Sequence, residues 1–202
     1  MATSNPRYGA LYKYTRALSV ALEYRDRPTG LHSGRVQDLA EALGRRCGMS
    51  AGDLGILRIG AAFHDIGKIG IPDEILFKPS SFSEAEWGTM RQHPDIGANI
   101  MLAAGLSGAR EVAGVIRHHH ERYDGSGYPA GLAAEAIPLG ARIISIVDSY
   151  DAMVATRAYH RGRDHQQVMA VLWQETGHKH DPRLMGIFAE LIEGSELKAP
   201  AT

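Results

Sequence analysis

Leu11, Tyr14, Leu18, Ala21 and Leu22 recur at intervals that line one face of a helix, and this opening stretch has to end before Pro28. A second helical pattern covers roughly 30 to 47. Ser50 or Asp53 caps a third, which carries Leu54, Leu57, Ile59, Ala61, Ala62 and Phe63 and delivers His64 and Asp65 at its end. Gly67, Gly70 and Pro72 then interrupt the periodicity. Ser83 followed by Glu86 has the form of a capping box opening a helix toward Met90, and another helix follows Pro94 through Ile96, Ile100 and Leu102. Residues 108 to 122 read as helix, 123 to 139 as a loop rich in glycine and proline, and 140 to 157 as a helix with Ile143, Ile144, Ile146, Val147, Tyr150 and Met153. Ile143 to Val147 alone would pass for a buried strand, but alanine and methionine continue the run and no alternating partner exists. Weaker helical patterns at about 164 to 176 and 182 to 193 finish the chain, and the pattern as a whole predicts an all-α helical bundle without internal repeats.

Composition narrows this picture. With 202 residues, 44% hydrophobic and 22% charged, the chain has enough apolar surface for one domain with a full core. A net charge of -1 gives no global field toward a nucleic acid polymer or an anionic membrane, so a phosphate-bearing ligand has to be drawn by a local site. Cys47 is the only cysteine, which excludes an internal disulfide and a thiolate metal cluster and fits a reducing compartment. The first residues lack the apolar core of a signal peptide and no apolar run reaches the ~20 residues that span a bilayer, so the cytoplasm is the expected location.

The chemistry concentrates in histidines and carboxylates scattered along the chain: His64-Asp65, His93, the run Arg117-His118-His119-His120-Glu121, and Asp148. Imidazole nitrogen with carboxylate oxygen suits borderline divalent metals such as iron, manganese or zinc. Each piece alone has a plainer reading. His64-Asp65 also suits a helix-end hydrogen bond, His93-Pro94 a helix start, and His118 to His120 a solvated cluster, since successive helical residues point about 100° apart.

Five segments in order carry a resemblance more specific than any of these. They are His32-Ser33-Gly34-Arg35-Val36, His64-Asp65-Ile66-Gly67-Lys68-Ile69-Gly70-Ile71-Pro72, His93-Pro94-Asp95-Ile96-Gly97, His119-His120-Glu121-Arg122-Tyr123-Asp124-Gly125-Ser126-Gly127-Tyr128-Pro129 and Asp148-Ser149-Tyr150-Asp151-Ala152-Met153. Together they resemble the HD-GYP family of bacterial cyclic di-GMP phosphodiesterases, part of the HD superfamily, over roughly residues 23 to 190. The resemblance implies a helical bundle with a metal cluster in its core. It divides the chain into a lead-in helix or connector at 1–22, the domain at 23–195 and a flexible tail at 196–202.

Carried over residue by residue, the resemblance implies one metal held by His32, His64, Asp65 and Asp148 and a second by His93, His119 and His120, with Asp65 bridging and His118 a spare surface residue. Relatives that bind a third metal use a glutamate four residues before the first histidine; Pro28 stands there and offers no ligand, so two divalent ions are expected, iron or else manganese. They would activate a bridging hydroxide that attacks a phosphodiester of cyclic di-GMP, giving pGpG and, by a second cut, GMP. Lys68 is the expected phosphate contact and Asp26 an acidic partner for Lys68 or for protons. Arg157 is a further substrate contact, with His160 where the family has lysine or arginine, and this departure sustains an alternative: a weakly active or inactive signalling module working through protein contacts. Glu121 and Asp151 are expected to hold ligand histidines or to lie on the surface. Gly125 and Gly127 permit positive φ, and the Gly127-Tyr128-Pro129 loop is either a shaping element or a docking surface for a diguanylate cyclase domain. The stripe on the opening helix suggests a homodimer.

Overall fold

The computed structural model describes residues 6–25, 27–154 and 163–198, leaving aside the side chains at 6–8, 15, 19 and 27–31. The expectations placed on Asp26, Arg157, His160 and the Pro28 side chain therefore fall outside the described residues. The helices are α1 (Pro6–Arg25), α2 (Arg27–Arg46), α3 (Ala51–Phe63), a 3-10 helix (Ile66–Gly70), α4 (Asp73–Leu76), α5 (Glu84–Met90), α6 (His93–Ala103), α7 (Ala109–Arg117), a 3-10 turn (Ala134–Ala136), α8 (Leu139–Val154), α9 (His165–Glu175) and α10 (Pro182–Glu193). Among the described residues there is no strand, only an isolated bridge between Thr176 and His180, so the fold is all-α as the periodicity predicts.

Local chemistry sets most of the helix starts. Ser50 Oγ accepts the Asp53 amide at α3, and Ser83 with Glu86 closes both arms of the capping box at α5. Asp164 with Gln167 forms a second box at α9, while the Asp181 carboxylate accepts the Arg183 and Leu184 amides at α10.

Burial is organised in two main clusters. In one, Leu39 and Leu43 of α2, Leu54, Leu57 and Ala61 of α3, Ile143, Ile146 and Tyr150 of α8, Leu172 of α9 and Phe188 of α10 pack together. In the other, Leu11 and Leu22 of α1 meet Ile59 and Phe63 of α3, Met101 of α6 and Val112 and Ile116 of α7. Helices α3 and α7 face both clusters, and both end at the boundary between them. The stripe expected on α1 is corrected in part: Leu11 and Leu22 are buried and Leu18 half-buried, but Tyr14 and Ala21 are exposed. Tyr12, instead, sets its ring edge against Phe63 at a centroid distance of 6.0 Å.

Candidate metal centre

His64 follows α3, His93 opens α6 just beyond α5, and His119 follows α7, so each lies just past a helix C-terminus. All three close the same local hydrogen bond. His64 Nδ1 donates to Ala61 O at 2.7 Å, His93 Nδ1 to Met90 O at 2.8 Å and His119 Nδ1 to Ile116 O at 2.6 Å. The bond satisfies a carbonyl that the helix end leaves without an intrahelical donor, and it fixes the tautomer with the lone pair on Nε2. The three Nε2 atoms are buried and have no hydrogen-bond partner. An unpaired buried polar atom costs free energy, so three aimed at one place mark a site built for a cation.

The carboxylates complete it. Asp65 is buried with one oxygen toward each histidine set: Oδ2 lies 3.6 Å from His64 Nε2, and Oδ1 lies 3.5 Å from His93 Nε2. Lys68 Nζ reaches Asp65 Oδ2 at 2.6 Å from the 3-10 helix. Asp148, midway along α8, sits 2.9 Å from His32 Nε2 and 3.9 Å from His64 Nε2. Two ligand sets result, His32–His64–Asp148 and His93–His119–His120, and in each the donor atoms lie within 4.8 Å of one another. The histidine rings run in a chain, with centroids 5.4 Å apart from His32 to His64, 5.3 Å from His64 to His119 and 3.9 Å from His119 to His120. All the residues expected to hold metal are thus brought to one place, with Asp65 between the two sets.

Electrostatics favour neutral imidazoles on one side and charged carboxylates on the other. Burial pushes the His93 and His119 pKa values down, and burial first, with the crowding of a second imidazole at His93, takes His120 down to about 3. Burial opposes charge on Asp65 as well, but Lys68 and the surrounding histidines hold its carboxyl well below the usual range. Asp148 is held low against burial chiefly by the hydrogen bond from His32. His32 is the exception: burial opposes its charge, yet the hydrogen bonds to Asp148 and Asp151 raise it to about 9. A proton there stands where the carboxylates call for positive charge, and a metal would displace it.

The surroundings sort the remaining expectations. Asp151 Oδ2 accepts from His32 Nδ1 at 2.7 Å, and Arg35 grips the same carboxylate through Nε at 2.6 Å and Nη2 at 2.8 Å. Glu121 is buried, but it holds no ligand histidine: its oxygens accept the Ala130 amide at 2.8 Å and the Leu132 amide at 3.1 Å, and His118 lies 3.2 Å away. It clamps the following loop under the histidine pair, and half-buried His118 is its side-chain partner rather than a surface bystander. Within that loop Gly125 has φ +84, whereas Gly127 is required for another reason, since a Cβ there would lie 2.2 Å from the Arg122 amide. Tyr128 stacks on His120 with centroids 5.0 Å apart, and Arg91 lies over the Tyr128 ring at 5.6 Å.

Arg35 and Arg25 have no expected role in the site from sequence, and Tyr128 is expected only as a shaping or docking element of its loop, not as the ring beside His120. Arg35 had a signal, since it lies three residues after His32 on the same helix face. Arg25 had none: from the end of α1 it crosses to Asp73 at 2.5 Å, to the Lys68 carbonyl at 3.1 Å and to the Ile71 carbonyl at 2.6 Å, fixing the 3-10 helix that carries Lys68. Arg142 and His165, without a role from sequence, pair with Asp181 at 2.6 Å and with Tyr150 and Glu193 at 2.9 Å.

Comparison with known proteins places the chain in a family. The HD domain family model matches residues 9–184. The chain is 39% identical over 166 residues to the cyclic di-GMP phosphodiesterase response regulator RpfG of Xanthomonas campestris, covering 82% of this chain and 44% of that protein. It is 35% identical over 190 residues to a cyclic di-GMP phosphodiesterase of Vibrio cholerae, covering 88% of this chain and 39% of the relative. The chain therefore spans less than half the length of these curated relatives. Among solved structures, Bd1817, an HDG"Y"P protein from Bdellovibrio bacteriovorus, superposes with a TM-score of 0.66 at 22% identity, over 82% of this chain and 53% of that one. With the match running through nearly the whole chain and the histidine and aspartate motifs folded into one cluster, the chain belongs to the HD domain family, in its HD-GYP branch.

Proposed function

We propose that the chain is a metal-dependent phosphodiesterase that opens cyclic di-GMP to pGpG, with GMP as the product of a further cut by the same centre. The observation that carries this reading is Asp65, set with one oxygen toward each of two histidine sets, in which the Nε2 atoms of His64, His93 and His119 lack partners. His32, His64, Asp65 and Asp148 would hold one divalent ion, and Asp65, His93, His119 and His120 a second, iron or else manganese. When bound, such a pair supplies an activated water as nucleophile and offsets charge on phosphoryl oxygens.

The chain's own residues do the rest. Asp151 and Arg35 orient His32, and the backbone carbonyls orient His64, His93 and His119, so the donor atoms are in place before a ligand arrives. Lys68, held against Asp65, would bind a phosphate oxygen at the edge of the cluster. Arg157, His160 and Asp26 are proposed as further substrate and proton contacts. A diguanylate cyclase domain at the Gly127-Tyr128-Pro129 loop and a second copy of the chain are proposed partners, although Leu11 and Leu22 of the α1 stripe are taken up by the chain's own core. Among the described residues no helix is long and apolar enough to cross a membrane, and we place the activity in the cytoplasm.

The test is incubation of iron- or manganese-loaded protein with cyclic di-GMP and with the mixed GMP–AMP cyclic dinucleotide, followed by chromatography of the products. Linear pGpG is the expected product. No product from either substrate at full metal occupancy would favour the non-catalytic signalling module instead.

A further inference from the structure

Beside the ligand cluster lies a small cavity bounded by His120, Asp148, Arg122, Ser145, Ser149 and Lys179. It shares the His120–Asp148 edge of the cluster, whereas Lys68 stands on the Asp65 edge. Ser145, Asp148 and Ser149 fall on one face of α8 by their three- and four-residue spacing. Arg122 directly follows the histidine run and the buried Glu121, and Lys179 arrives from the turn after α9.

Backbone hydrogen bonds make these two distant cations neighbours. The Tyr123 amide donates to Lys179 O at 3.2 Å, and the Asp124 amide to His178 O at 2.9 Å. The turn itself is closed by the Gly177 amide on His180 O at 2.9 Å. Lys179 Nζ touches Glu175 at 3.2 Å, a pair in which both side chains are about a third exposed, while the Arg122 guanidinium enters no ion pair among the described residues. Arg122, Lys179 and two buried serines therefore line one cavity, beside the Asp148 carboxylate and the Glu121 carboxylate already bonded to the loop amides. That donor set suits a phosphate oxyanion and nothing apolar.

A cyclic dinucleotide carries two phosphodiesters in one ring. When one lies at the metal ligands, the other must be accommodated nearby, and a cavity that shares two ligand residues with the cluster is within reach. We infer that Arg122 and Lys179, with Ser145 and Ser149, form the subsite for the phosphodiester that is not being cut. The inference rests on the proposed function and names a specificity device within it: recognition of a substrate by its second phosphate.

The experiment compares metal-loaded wild type with Arg122→Gln, Lys179→Gln and the double variant on two substrates. One is cyclic di-GMP; the other is bis(p-nitrophenyl) phosphate, which has a single phosphodiester. Equilibrium binding of a slowly cleaved phosphorothioate analogue of cyclic di-GMP gives a readout independent of turnover. The double variant is expected to raise KM for cyclic di-GMP and Kd for the analogue by about tenfold or more, because it loses two charge-assisted hydrogen bonds. Its kcat/KM on the single-phosphate substrate is expected to stay within about twofold of wild type, since nothing there occupies the cavity. Should the double variant not fold, the single variants carry the same comparison with smaller shifts. Unchanged KM and Kd, or an equal loss on both substrates, would overturn the subsite while leaving the proposed function standing. A wild type that cuts bis(p-nitrophenyl) phosphate yet neither binds nor cuts cyclic di-GMP would overturn the proposed function and the subsite with it.

Discussion

His32 differs from the other clustered histidines in what holds it. His64, His93 and His119 donate Nδ1 to a backbone carbonyl, but His32 sits between Asp148 and Asp151, and Arg35 anchors the second of these. Asp151→Ala is therefore expected to weaken metal binding about 10- to 100-fold, measured by competition with a chelator; unaltered affinity would mean that Asp151 serves packing alone. His180 presents a different residue-scale problem. It is buried with neither ring nitrogen in a hydrogen bond, although Nε2 lies 3.2 Å from Glu175. Burial first, and then the charge of Lys179, pushes its pKa from 6.5 down to about 4. Between those values the unfolded chain binds more protons, so His180 gives its full stability above pH 6.5 and loses it as pH falls toward 4. Replacing it as His180→Phe is expected to narrow the gap between denaturant midpoints measured at pH 5 and pH 7.5; an undiminished gap would assign the acid sensitivity elsewhere.

At the scale of elements, the 3-10 helix is pressed directly onto the start of α6. A Cβ on Gly67 would lie 1.9 Å from His93 O and 2.6 Å from the Gly97 amide, and neither backbone atom can swing aside. Gly67→Ala is expected to cost about 3 kcal/mol in a denaturation experiment, at the upper end of ordinary overpacking, and to reduce metal occupancy by moving His93. A variant with wild-type stability would show that the two elements have room to part. This junction also shows where the sequence is legible. The longer helices announce themselves by apolar spacing and caps, as at Ser50 and Ser83, but α4 and the 3-10 helix are too short for a 3.6-residue period to appear. The clustering of the proposed ligands was legible because ordered motifs carried them. The clamp role of Glu121 was not, because it depends on where the loop amides of Ala130 and Leu132 return. Lys179 likewise comes beside Tyr123 and Asp124 through hydrogen bonds between two segments remote in sequence.

For the whole molecule, the candidate centre draws on both apolar clusters' helices, and its proposed ligands come from α2, the ends of α3 and α7, the start of α6, and α8. Elements so far apart in sequence are held together there around buried carboxylates and partnerless imidazole nitrogens. Metal should therefore act on the entire fold, because a ligand bound only by the native state stabilises it by mass action. Chelation is expected to lower the melting temperature, and iron or manganese to restore it; a melting temperature indifferent to metal would leave the buried cluster without its counterion. The ligand sets fix how many ions the cluster is expected to hold: Asp65 is proposed for both sets, and Pro28 offers no side-chain ligand for a third. Elemental analysis of anaerobically purified, iron-loaded protein measures this directly. About two ions per chain is the expected result, as two Asp65-linked ligand sets require. A single ion, or three tightly bound ions, would contradict it.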